Sequence, residues 1–162
     1  MNYRLEEKAG FRIIGIKELM SKADKHLLKK IPQMWDNMPQ HLYAELLWLS
    51  DAEPKGILGI CGPMIDSVYF EYWIAAASSK HTPPGLHTLE IPAGTWAIFK
   101  SVGPVPGTIQ EVWKYIYDVW QPPLGYEHAR TPEVEWYSGG NMREKDYLSE
   151  VWIPLLKTEE FF

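Results

Sequence analysis

One cysteine, Cys61, stands in 162 residues, so no internal disulfide can staple the chain and its stability has to come from a packed core. Long apolar runs are missing as well: nothing approaches the ~18 residues of a membrane-spanning helix, and Met1 to Lys8 is charged, without the apolar centre of a secretion signal. Basic excess is a third absence. Sixteen Lys and Arg against 21 Asp and Glu leave a net charge of −5, which argues against holding a phosphate backbone through clustered cations. The densest basic run, Lys22 to Lys30, contains Asp24 and reads as a solvated helix face. His26, His41, His81, His87 and His128 show no metal-ligand spacing. The run Gly103-Pro104-Val105-Pro106-Gly107 opens a helix but lacks the lysine of a phosphate loop. Cys61 has no histidine in a recognisable motif nearby and reads as a small apolar residue on a strand. These absences predict a cytoplasmic chain with no cofactor, no metal, no direct nucleic-acid partner and no membrane partner.

Aromatic residues are plentiful, with eight Trp and nine Tyr. Two strand-like segments, Phe70 to Ala75 and Ser149 to Pro154, each carry a glutamate two residues before a tryptophan within an apolar run. Alternation puts Glu71 on the face of Trp73, and Glu150 on that of Trp152. An ionised carboxylate among aromatics needs a partner, from the protein or from a ligand. An anionic, aromatic-walled pocket suits flat organic molecules, cations above all.

The two segments belong to an internal repeat. Trp35 and Trp113 lie 78 positions apart, as do Ile31 and Ile109, while Glu71 and Glu150, and Trp73 and Trp152, lie 79 apart. Ile13 to Lys17 and Trp96 to Lys100 are matching strand-like runs ahead of each helix. The order in each half is strand, helix, strand, strand, which predicts one domain over residues 1–162: a first repeat over about 1–78, a connector over 78–86, a second repeat over about 86–156 and a frayed tail over 157–162. In detail, Tyr3 to Glu7 and Phe11 to Glu18 read as one bulged strand broken at Gly10. Leu27, Ile31, Met34, Trp35 and Met38 recur at helical spacing around Pro32, and Leu42 to Leu49 is ambiguous. Thr108 and Glu111 form a capping box for a helix carrying Val112, Trp113, Ile116 and Trp120 on one stripe. The fold class expected is α+β: an antiparallel sheet with two main helices, pseudo-twofold, with a ligand groove between the repeats.

The runs Leu89-Glu90-Ile91-Pro92-Ala93-Gly94-Thr95-Trp96-Ala97-Ile98-Phe99, Gln110-Glu111-Val112-Trp113-Lys114-Tyr115-Ile116-Tyr117 and Glu150-Val151-Trp152-Ile153-Pro154-Leu155 resemble the GyrI-like superfamily. That superfamily includes the effector-binding domains of AraC-type and MerR-type multidrug regulators. The resemblance implies paired strand-helix-strand-strand modules that bind hydrophobic, often cationic compounds where they meet, with a last-strand glutamate on the ligand. Glu150 matches that position, and Glu71 is its repeat-related counterpart. Trp73, Trp152, Trp113, Tyr117 and Trp96 complete the expected ligand-binding set; for Trp113, as for Trp35, packing in the core is the competing reading. The chain is similar to stand-alone members without a DNA-binding domain. Three functions follow from the resemblance. The first is capture of a xenobiotic without chemical change. The second is hydrolysis of cyclopropane-bearing DNA-alkylating compounds, with Glu150 or Glu71 as the base. The third is interaction with a protein such as DNA gyrase.

Overall fold

In a computed structural model that describes residues 1–158, the chain forms nine strands and three helices. They are β1 (Tyr3–Lys8), β2 (Phe11–Ser21), α1 (Leu27–Asp36), α2 (Gln40–Leu49), β3 (Ile57–Met64), β4 (Tyr69–Ala77), β5 (His87–Ile91), β6 (Gly94–Val102), α3 (Gly107–Asp118), β7 (Tyr126–His128), β8 (Glu133–Tyr137) and β9 (Leu148–Lys157). All nine strands join one antiparallel sheet in the order β1-β6-β9-β8-β3-β4-β2-β5, with β7 on β9. Exchanging β1 with β5, β2 with β6, β3 with β8 and β4 with β9 turns this order into its own reverse, as a pseudo-twofold arrangement requires. Among the described residues no helix is long and apolar enough to cross a membrane.

The register locates the axis. Trp73 pairs with Ile60 and its counterpart Trp152 pairs with Val134, while Ile60 and Val134 pair with each other across the β3–β8 seam. The axis therefore passes between Ile60 and Val134. On the same count Gly59 corresponds to Glu133, and Cys61 to Glu135. The outermost strands are exchanged: β1 of the first half pairs with β6 of the second, and β5 of the second pairs with β2 of the first. The segments on either side of Gly10 keep a single register, Lys8 opposite Gly94 and Phe11 opposite Ile91, so β1 and β2 run on in one direction as the interrupted strand that the sequence suggested. Gly10 lets the strand pass close to the β5–β6 junction, since a side chain there would press on the Ile91 carbonyl and the Ala93 nitrogen.

Alternation along the strands divides the core. One face gathers Ile13, Ile60, Trp73, Ile91, Trp96, Ile98, Val134 and Trp152 into a single cluster contributed by both halves. The other face is covered by helices: α1 and α2 pack over Ile14, Phe70, Tyr72 and Ile74, and α3 over Ala97, Phe99, Val151 and Ile153. The ambiguous segment Leu42 to Leu49 is helical, and burial of Leu46 and Leu49 against the sheet explains its apolar character. The expected pair of main helices becomes three. The capping box does not form; α3 starts at Gly107, so Thr108 lies inside its first turn and makes no side-chain cap. Lys157 ends β9, and residues 159–162 of the expected tail lie outside the described residues. The connector is anchored by Arg12, which donates to the Ser78 and Lys80 carbonyls and to the Thr82 hydroxyl.

Candidate functional site

A cavity of about 1610 Å³ opens between α1 and α3 over the β3–β8 seam, more than the roughly 300–1,000 Å³ of ordinary small-molecule pockets. Its floor is central to the sheet and its walls come from both halves, with Ile31 and Trp35 on one side and Ile109, Trp113 and Tyr117 on the other. At the floor lies Glu135, 5% exposed. Its carboxylate accepts hydrogen bonds from the Tyr72 hydroxyl at 2.6 Å and the Trp113 indole at 2.8 Å, and from the Tyr137 hydroxyl. The Trp35 indole donates to the Tyr72 hydroxyl at 2.9 Å. The two tryptophans that mark the repeat therefore converge on one carboxylate, Trp113 directly and Trp35 through Tyr72.

Gly59 faces Glu135 across the seam, and a side chain there would come within 2.3 Å of the carboxylate and 2.4 Å of the Tyr72 hydroxyl. A glycine leaves the room that the acid occupies. Among the described residues no lysine or arginine pairs with Glu135. Burial pushes its carboxyl above the usual range, against the opposing pull of the Tyr72, Trp113 and Tyr137 hydrogen bonds. Burial and the same carboxylate push the Cys61 thiol well up, which keeps it out of the nucleophilic thiolate form. Two residues along β8, Glu133 takes the Tyr117 hydroxyl at 2.7 and 2.9 Å on its two oxygens.

At the rim, Pro32 inside α1 has no N–H to offer the Leu28 carbonyl one turn back. The Gln110 amide of α3 donates to that carbonyl at 2.9 Å instead, tying the two helices together across the groove.

The site set expected from the sequence divides by face. Trp113 and Tyr117 line the cavity, and Trp113 both donates to Glu135 and packs against the core under α3. Glu150, Glu71, Trp73, Trp152 and Trp96 lie on the opposite face of the sheet and do not reach it. Their carboxylates have partners within the chain. Glu150 takes Arg4 at 3.0 Å and the Trp152 indole at 3.0 Å, with the Lys8 ammonium 4.6 Å from the centre of the Trp152 ring. Glu71 takes Lys17 at 2.9 Å, and Lys17 also stands over Trp73. The twice-repeated glutamate and tryptophan thus answer their need for a cation from within the sheet, Lys17 on the adjacent β2 and Arg4 on β1, one strand further off.

The family model for the GyrI-like small molecule binding domain matches residues 1–156. The chain belongs to the GyrI-like family. As in other domains of this family, the expected product of the fold is a small-molecule site, and the chain is a small-molecule-binding domain. Solved structures agree on the architecture. SAV2435 bound to tetraphenylphosphonium superposes with a TM-score of 0.80 at 24% identity, covering 96% of this chain and 94% of that one. A putative bacterial transcription regulation protein from Staphylococcus aureus MU50 gives 0.74 at 24% identity, covering 96% and 98%. The C-terminal domain of EcmrR gives 0.56 at 16% identity, covering 98% and 100%. No curated protein matches this GyrI-like chain.

Proposed function

We propose that this domain captures lipophilic aromatic cations in the cavity between α1 and α3, with Glu135 as the counter-charge. The observation that carries the reading is a buried carboxylate held, among the described residues, by neutral donors alone, Tyr72, Trp113 and Tyr137, at the floor of an aromatic-walled cavity. A bound cation completes the pairing that the chain itself supplies to Glu71 and Glu150 but not to Glu135. The indole faces of Trp35 and Trp113 add an attraction for a delocalised cation, worth about 2 kcal/mol where water is excluded. Tetraphenylphosphonium, the ligand named for SAV2435, has this chemistry and serves as the probe.

Titration with tetraphenylphosphonium should quench tryptophan fluorescence, since Trp35 and Trp113 line the cavity. Glu135→Gln keeps the shape and removes the charge, and should weaken the cation at least tenfold, or about 1.4 kcal/mol, while leaving a neutral tetraphenyl compound of the same size nearly unchanged. Equal losses for both compounds would reject Glu135 as the counter-charge. Ligand recovered unaltered after incubation is the expected outcome by mass spectrometry.

A further inference from the structure

We infer that the cavity carries a second anionic subsite at Glu133, which makes it selective for flat aromatic dications over monocations of the same shape; this rests on the cation reading of the same cavity. Glu133 and Glu135 are two residues apart on β8 and both line the cavity, so they stand roughly 6.8 Å apart along the strand. Opposite them, Tyr117 and Trp113 are four residues apart on α3, a rise of about 6 Å. The two spacings match, and each aromatic donates to one acid: Trp113 to Glu135 and Tyr117 to Glu133. The donor rings are stacked, 5.7 Å apart and 12° from parallel, and so form one continuous apolar wall beside two carboxylates.

Charge on the lining is otherwise peripheral. Lys22, Lys114, Arg130 and Arg143 reach the cavity from exposed positions, whereas Glu133 is half-buried and Glu135 buried. No lysine or arginine pairs with either acid among the described residues. His128, itself exposed, stands 3.6 Å from Glu133 and neutralises it only when protonated. The Tyr117 hydroxyl has one hydrogen for two carboxylate oxygens, so Glu133 keeps accepting capacity on the cavity side. A rigid ligand with positive charge at both ends of a two-ring frame can therefore place one end on each acid while its rings lie along Trp113 and Tyr117.

Methyl viologen and N-methyl-4-phenylpyridinium test this directly, because they share a two-ring shape and carry two charges and one. Calorimetric titration of the whole chain should show the dication bound about three- to tenfold more tightly, the scale of one added half-exposed charge contact. Glu133→Gln should abolish that preference, weakening the dication by more than the monocation, and Glu135→Gln should weaken both compounds. Retained tetraphenylphosphonium binding by Glu133→Gln shows that the variant is folded. Equal affinities in the wild-type chain, or a preference that survives Glu133→Gln, would overturn the subsite while leaving the cation reading in place. No binding of any of the three cations would overturn both.

Discussion

Glu135 is buried with donors that carry no charge, and this sets how it responds to pH. Its folded-state carboxyl lies above the ordinary carboxylate value, so the folded chain holds that proton more tightly than the unfolded one. Its contribution to stability is most favourable below the unfolded value and falls as pH rises towards the raised folded value. In Glu135→Gln this slope should vanish, leaving the variant's melting temperature flatter over that interval; parallel curves for the two proteins would contradict the burial argument. Cation binding has the opposite sign. It needs the ionised acid, so affinity for tetraphenylphosphonium should grow as pH rises through the same interval, and binding there should release protons. Titrations in buffers of different ionisation enthalpy measure that release. Gly59→Ala is a second test at this scale: its new methyl would strike the carboxylate and the Tyr72 hydroxyl, and should cost about 1–3 kcal/mol in chemical denaturation. Neither residue stands out in the sequence. Glu133 and Glu135 alternate with Val134 and Trp136, which reads as an ordinary strand with a solvated face. What encloses that face is α1 and α3, brought over it by contacts far away in the chain.

At the scale of elements, β4 and β9 show why the glutamate and tryptophan pattern pointed to the face of the sheet away from the cavity. Alternation correctly grouped Glu71 with Trp73 and Glu150 with Trp152, yet it is blind to which face of the sheet the helices cover. The cations that satisfy these acids, Lys17 and Arg4, sit 54 and 146 positions away in the chain, on β2 beside β4 and on β1 two strands from β9. Glu150→Gln should accordingly lower the melting temperature, by removing the ion pair with Arg4, and leave tetraphenylphosphonium affinity unchanged; a large affinity loss would place the ligand on the other face after all. The helices were easier to read. Equal spacing of Trp35 and Trp113 correctly matched α1 with α3, whereas α2 offered apolar residues without a clean period and could not be assigned. The Gln110 bond to the Leu28 carbonyl, left open by Pro32, joins those matched helices at the rim. Removing it with Gln110→Ala should speed association and dissociation of tetraphenylphosphonium alike, by about threefold on the scale of one exposed hydrogen bond. Stopped-flow traces with unchanged rates would show that the bond does not restrain entry.

For the whole molecule, the α+β class and the two-module order were legible because both rest on local patterns repeated at a constant offset. The exchange of β1 and β5 was not, since strand pairing across 72 to 96 residues leaves no local signature. That exchange makes each half incomplete. Fragments 1–78 and 86–156 should each lack cooperative thermal unfolding by circular dichroism when prepared alone, and recover it when refolded together; a lone fragment that melts cooperatively would contradict this. The seam between the halves has one more consequence. A pair of identical subunits meeting at such an axis would have to set the same residues on both sides, and four glutamates would crowd one floor or four small residues would leave it uncharged. Joined in a single polypeptide, the copies are free to drift apart, and here one kept Gly59 and Cys61 where the other has Glu133 and Glu135. The symmetric frame thus ends in a lopsided cradle, and a guest lying across the seam would meet unlike residues on its two sides where a symmetric floor would offer two equivalent orientations.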